Sequence, residues 1–388
     1  MALATGQATA AALALAAPNL RERLGWQELA NKLEAYSLFR HAAGALGPGS
    51  RRLPLAAQVA RAQALGPYSA LWVIEGLGFR HAEMGWRSGA EPRELLGGDG
   101  AADVPAGTLV ALHCGVALSL ASRLLGRVAR SVAWAASAAS AASAAAGELR
   151  RALAEFITAS QEISRPGYAG AVLEGLGFAA RLLRPRWVPA IARELPGLAA
   201  EVDACFWHGV GRALYFLPAN LSPRRSAPWR AAAMALSEPV QAAGPPGSPG
   251  PQATENRAAD AAIGRACNNA LAGLAWPLVL INLRHPQVLS SFLCRHAPLA
   301  EDAAFVSGVG SALRVWCDCM PGDPYVAALR GYRPQPPEAG LAQLWQHSIA
   351  AECAAAMEED YPRLREQGRL GELFLFRPAA APECGMPG

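Results

Sequence analysis

Apolar residues recur every three to four positions along most of this chain, and polar residues fill the gaps. Residues 25–45 show the rule: Trp26, Leu29, Leu33, Tyr36 and Phe39 fall on one stripe of a helix. No segment alternates apolar and polar residues at period two with β-branched side chains, and isoleucine and threonine are sparse. Pro and Gly interrupt the pattern at 47–54, 97–106, 185–196 and 321–337. The pattern predicts an all-α, multi-helix array.

The most informative feature is a repeat. WVIEGLGFRHA at 72–82, AVLEGLGFAAR at 171–181, FWHGVGRALYF at 206–216 and FVSGVGSALRV at 305–315 share one motif, with weaker copies at 111–121 and 260–270. Glu75 to His208 and Glu174 to Ser307 are both steps of 133 residues, which predicts a tandem duplication and two pseudo-repeat halves. The halves are placed at residues 1–200 and 201–378. Residues 243–252, AGPPGSPGPQ, read as an exposed linker inside the second half, and 379–388 as a flexible tail. The Ala/Ser tract at 135–147 reads as a plain helix or a flexible link.

Glycine inside a helix costs about 1 kcal/mol relative to alanine, so a recurring glycine needs a packing reason. Gly175 with Ala179, Gly209 with Ala213, and Gly308 with Ala312 form small-x-x-x-small stripes that let two helix backbones approach closely. The second glycine of each motif lies on another side of the same helix, so these helices are expected at the centre of the array. A phosphate-binding glycine loop needs a strand before it and a helix start after it, and no such strand is predicted.

Polar residues precede the first glycine of the motif: Glu75, Cys114, Glu174, His208 and Ser307. If the copies are equivalent, these side chains meet near the crowded centre. There Glu75, Glu174 and His208 are the candidate catalytic residues, able to exchange protons or hold a cation. The structural alternative is that each one bonds a neighbouring helix. Cys294, His296, Cys317 and Cys319 are soft-metal ligand types, but their spacing matches no paired zinc motif, and buried thiols are the default. No cofactor is implied by any motif. Trp86, Trp187, Trp207 and Trp229 are candidate anchors for a partner, if exposed.

Composition narrows the field further. The chain has 388 residues, of which 52% are hydrophobic and 17% charged, ample for a core and too apolar for disorder. The net charge of +4 is too small for a duplex-binding stripe, so nucleic acid is not expected as a partner. Lys32 is the only lysine among 35 basic residues. Eight cysteines indicate free thiols in the cytoplasm rather than a disulfide scaffold. The N-terminus lacks the basic residues of a secretory signal and reads as an Ala-rich helix ending near Pro18. Residues 131–147 and 266–283 are apolar, but the first is mostly Ala and Ser and the second holds Asn268, Asn269 and Pro277, so no transmembrane segment is predicted.

The segments EGLGF, HGVGRALYF and SGVGSALRV, and the succession of an I-G-R-A helix and an S-G-V-G helix, resemble a large helical family of unknown biochemistry. Its members are encoded in the gene cassette beside enediyne polyketide synthases. The likeness spans about residues 68–316. It implies a cytoplasmic bacterial accessory or scaffold protein of specialised metabolism that binds an apolar metabolite or a protein partner. The alternative is an enzyme tailoring a polyene or polyketide intermediate at a Glu/His cavity.

Overall fold

A computed structural model describes residues 2–16, 20–97, 101–135, 141–221, 228–243, 253–335 and 339–377. The Pro/Gly linker from 244 onward, the middle of the Ala/Ser tract and the tail after Arg377 lie outside these residues, and helices flank the tract on both sides.

Among the described residues every regular element is helical. The N-terminal helices are α1 (Ala2–Ala16), α2 (Leu20–Arg40), the single turn α3 (Ala42–Ala45), α4 (Leu55–Gln63) and α5 (Pro67–Ser88). There follow α6 (Leu109–Ala135), α7 (Ala141–Ile163), α8 (Ala169–Leu183), α9 (Val188–Glu194) and α10 (Ala200–Leu214). The rest comprises α11 (Pro228–Ala243), α12 (Ala253–Asn282), α13 (Pro286–Arg295), α14 (Ala303–Cys319) and α15 (Pro324–Gly331). Last is α16 (residues 342–366), whose α-turns alternate with π-turns at Trp345–Ala350 and Ala356–Asp360.

Helices α5, α6, α8, α10, α12 and α14 form a row in which each crosses the next, and α14 curls back to touch α6. Glycine sets each crossing. On α5 and α6, a Cβ at Gly78 would collide with the Leu112 carbonyl and one at Gly115 with the Glu75 carbonyl. The same reciprocal arrangement, three residues apart on each helix, recurs between α8 and α10 at Gly177 and Gly209. It recurs again between α10 and α12 at Gly211 and Gly273. Gly175 meets Ala117, and Gly308 meets Ala272. Helix α10 is therefore gripped on two sides, by α8 at Gly209 and by α12 at Gly211, which is the two-sided packing that the motif predicts.

One detail differs from expectation. The weak copy at 260–270 is not a crossing: Gly264 is exposed and a Cβ there would meet nothing, whereas Gly273, nine residues on, sits at the contact. Pro277 lies inside α12, four residues beyond Gly273, whose carbonyl it leaves without an intrahelical partner. One apolar core extends from Ala35 to Phe374, so residues on both sides of position 200 share it.

Helix α2 also departs from its pattern. Its apolar stripe is only half-buried, with Tyr36 46% exposed, while Leu24, Glu28, Asn31, Lys32 and Ala35 form the buried face. That face packs toward α5, α12 and α13, where polar partners await it. Asn31 donates to Asn282 (3.0 Å), Asn282 to the Tyr215 hydroxyl (2.8 Å), and Lys32 to the Asn220 carbonyl (3.1 Å). Lys32 Nζ pairs with Glu28 (2.9 Å) and lies 3.7 Å from the centre of the Tyr215 ring. Burial lowers the Lys32 pKa, against the pull of Glu28.

One helix among the described residues, Ala106–Arg130, is long and apolar enough to cross a membrane, and 78% of its apolar window is buried inside the protein. It is α6 with its leading turn, the second member of the crossing row. Residues 266–283 do not pass the same test, and residues 131–147 lie partly outside the described residues.

The end of α16 is tied to α14 through Asp318, which is 1% exposed. Tyr361 donates to its Oδ1 (3.2 Å) and Arg365 stands 3.7 Å away. Burial lifts the Asp318 carboxyl from 3.8 to about 6, with Arg365 and Tyr361 countering only in part. A raised acid stabilises the fold fully below its unfolded pKa and loses that contribution as pH rises through the folded value. The wild type should therefore lose about 2 kcal/mol between about pH 4 and pH 7 from this group, and Asp318→Asn should flatten that segment of the pH profile. Urea midpoints across the range check it; an unchanged slope in the variant refutes the assignment.

Candidate functional site

The glycine crossings bring three of the motif's polar positions into one buried knot. Glu75 leaves α5, Glu174 leaves α8 and His208 leaves α10, and they are 4%, 0% and 1% exposed. Each stands one residue before a motif glycine, so the contact that joins the backbones also aims the carboxyls and the imidazole inward. The sequence did not single out the residue that ties them together. Arg212, one turn after His208 on α10, is 2% exposed. Its Nη2 donates to Glu75 Oε1 at 2.5 Å and its Nη1 to Glu174 Oε2 at 3.2 Å. His208 Nδ1 lies 3.6 Å from Glu174 Oε1, an electrostatic contact longer than a hydrogen bond.

Aromatic rings close the knot. The Arg212 guanidinium carbon lies 4.4 Å from the centre of Trp276 and 4.8 Å from that of Phe178. Burial opposes the Arg212 charge, but Glu75 and Glu174 overturn it and hold the guanidinium more firmly protonated than usual. Burial also pushes the carboxyls up. At Glu174, Arg212 and His208 outweigh it, so this group falls below the ordinary glutamate range. At Glu75 burial prevails over Arg212, aided by the neighbouring Glu174 charge, and the pKa rises. The knot thus holds one fixed cation, one fixed carboxylate and one carboxyl poised to keep a proton. The Cys114 thiol, pushed up by burial, reaches the same guanidinium. Ser307, the fifth motif position, is half-buried on α14.

The turn after Gly368 covers this knot. After Gly368, in the left-handed region at φ +61°, the chain turns back and forms the 3-10 turn Leu370–Phe374. Gly371 donates to the Gly167 carbonyl (2.5 Å), Ser311 to the Leu373 carbonyl, and the Phe376 amide to Asn269 (2.9 Å). The Phe374 ring meets His208 edge-on at 5.6 Å and Trp276 at 6.4 Å. Around it, Glu174 Oε1, both ring nitrogens of His208, Arg212 Nε and Trp276 Nε1 are buried without a hydrogen-bond partner. Glu174 Oε1 and His208 Nδ1 face each other at 3.6 Å, and the other three, His208 Nε2, Arg212 Nε and Trp276 Nε1, mark a spot where a polar ligand atom would be rewarded.

Phe374→Ala should cost about 3–5 kcal/mol, the range for a buried phenylalanine. Because the vacated slot is ring-shaped, indole or 2-naphthol should restore part of the lost melting temperature, as small aromatics fill apolar cavities. Thermal scans with and without the additive test this; collapse of the slot would leave the variant unrescued.

No protein-family model, curated protein or solved structure matches this chain.

The other sequence candidates scatter. Among the described residues no three metal-ligating side chains converge. Cys294 is exposed on α13, while Cys317 is half-buried and Cys319 buried on different sides of α14. The tryptophans are not exposed anchors. Trp207 is 3% exposed, Trp187 is half-buried, and half-buried Trp86 donates to Ser119 (3.0 Å). The side chain of Trp229 lies outside the described part.

Proposed function

We propose that this protein is an accessory protein of bacterial specialised metabolism that binds an apolar metabolite at the knot beneath Phe374. The metabolite expected there has a flat ring or polyene portion and a hydroxyl or carbonyl group. The observation that carries this reading is the Phe374 ring position itself, which meets His208 and Trp276, two rings whose Nε2 and Nε1 are buried without a hydrogen-bond partner. The flat portion would take the ring position, and its oxygen would meet His208, Trp276 or Arg212 Nε. The likeness of the glycine motifs to the family encoded beside enediyne polyketide synthases supports the metabolic setting, and a cytoplasmic site of action accords with it.

Calorimetry with 2-naphthol, and with cyclohexanol as the non-flat control, tests the reading. The wild type should bind 2-naphthol with a negative heat-capacity change and bind cyclohexanol at least about tenfold more weakly. Phe374→Ala, which removes the internal competitor, should bind 2-naphthol more tightly. Equal affinity for both alcohols, or none for either, counts against it.

The raised Glu75 beside the lowered Glu174 favours a second reading, an enzyme that moves a proton on a polyene or polyketide intermediate. In that case the purified protein alone should convert a component of host extract, and Glu75→Gln should abolish the conversion while leaving 2-naphthol affinity intact.

A further inference from the structure

Helix α5 has a second face. Glu75 points into the buried knot, but Gly76, the next residue, lies on a groove between α5 and the end of α2 with α3. The groove encloses about 760 Å³, within the range of small-molecule sites. Tyr36 and Phe39 of α2 face Phe79 and Met84 of α5 across it, with the Phe39 and Phe79 rings 5.8 Å apart. A second hollow of about 510 Å³ continues it past Gly47 and Gly49 toward Arg52, sharing Ala43 and Gly44 with the first.

The charges on this groove are mostly positive, three arginines against one glutamate. Arg40, Arg80 and Arg87 line it, and none of the three has an ion pair or side-chain hydrogen bond among the described residues. The acid beside them, Glu83, accepts a hydrogen bond from Ser119 on α6 (2.7 Å). Arg40 and Arg87 stand in last turns of helices, where a cation suits the helix dipole. Arg80 does not: it is half-buried in mid-helix, one residue after Phe79, and forms no ion pair with Glu83, the acid one turn on.

We propose that this groove is a binding site for a single long-chain acyl anion, such as a fatty carboxylate. The chain lies along the Tyr36, Phe39, Phe79 and Met84 lining, and the carboxylate meets Arg80 with Arg40 or Arg87. The two adjoining hollows, which share Ala43 and Gly44, suit a chain rather than a compact ring. Phe39 and Phe79 are half-buried in the walls, while Tyr36 and Met84, which also line the groove, are exposed. The site is independent of the proposed slot under Phe374.

Gly44 supplies a clean test. It is on the groove, its φ is ordinary, and a Cβ there would meet nothing within 4 Å. Gly44→Leu therefore fills the groove without straining the fold. The probe is 11-(dansylamino)undecanoic acid, followed by dansyl fluorescence on the full-length protein. Dodecanoate should displace it, and dodecanol and dodecyltrimethylammonium should do so at least about tenfold less well. Gly44→Leu should weaken the probe by more than about tenfold at unchanged melting temperature, and Arg80→Gln by about tenfold. Phe374→Ala should leave this affinity unchanged even if the slot proposal fails. The proposal is overturned if the probe does not bind, if dodecanol competes as well as dodecanoate, or if Gly44→Leu binds normally. It is equally overturned if only vesicles of phosphatidylglycerol, and not the monomeric probe, are bound.

Discussion

Arg212→Met should destabilise the protein by about 3–5 kcal/mol, the penalty for removing one partner of a buried ion cluster. Glu174 would lose the cation that holds its pKa down, and Glu75 its only strong donor. The rings of Phe178 and Trp276 would keep their contacts with an apolar side chain but lose the attraction of a cation to their faces. The decisive measurement is the rescue. Adding Glu75→Gln and Glu174→Gln to Arg212→Met should recover most of the loss, because a neutral, well-packed group of similar volume is often as stable as the ions it replaces. If the single variant stays within about 1 kcal/mol of wild type in urea unfolding, the two carboxyls carry no buried charge in the native state.

The same cluster makes opposite contributions at the two ends of the pH scale. A carboxyl lowered by folding, as Glu174 is, adds stability above its unfolded pKa, and that is lost as pH falls through the folded value. A carboxyl raised by folding, as Glu75 is, adds stability at low pH that is lost as pH rises. Glu174→Gln should therefore flatten the acid limb of the stability profile and Glu75→Gln the limb above it.

Much of this knot was legible before any coordinates. The period of 3.6 identified the helices, and the tiny residues identified the faces that meet. The polar residue before the first glycine points to the knot at Glu75, Glu174 and His208, because those glycine crossings repeat one local geometry, whereas Ser307 stays half-buried on α14. Arg212 is not marked by the motif, because it stands one turn beyond the polar position. Four residues after the five polar positions stand Phe79, Leu118, Phe178, Arg212 and Ser311. A lone arginine in a column that opens with three large apolar residues is the available signal. The polar face of α2 had no such signal. Its partners lie far along the chain: Asn31 meets Asn282 and Lys32 meets Asn220. Local periodicity therefore pointed to the apolar stripe instead. Gly264 and Gly273 sit in the same Ala-rich stretch of α12, and only the neighbouring helix distinguishes them.

That distinction leads to the second large effect. Gly209→Ala should destabilise the fold by about 3 kcal/mol, the upper range for overpacking a close contact, even though alanine is the better helix former. A Cβ at Gly209 would strike the Glu174 carbonyl oxygen and press on the Phe178 amide, both backbone atoms that cannot rotate away. Relief requires α10 to back off from α8. The same shift would draw Arg212 and His208 away from Glu174, so the packing loss and the electrostatic loss are coupled and should exceed their separate sum. Gly273→Ala, which strikes the His208 carbonyl from the other side of α10, should cost a similar amount. Gly264→Ala is the internal control: the same substitution in the same helix as Gly273, with open space around the new methyl, should stabilise by up to about 1 kcal/mol. Urea unfolding of the three variants reads the comparison directly. Three equal and small effects would mean that the helices do not meet at their glycines, and the convergence of Glu75, Glu174, His208 and Arg212 would lose its structural basis.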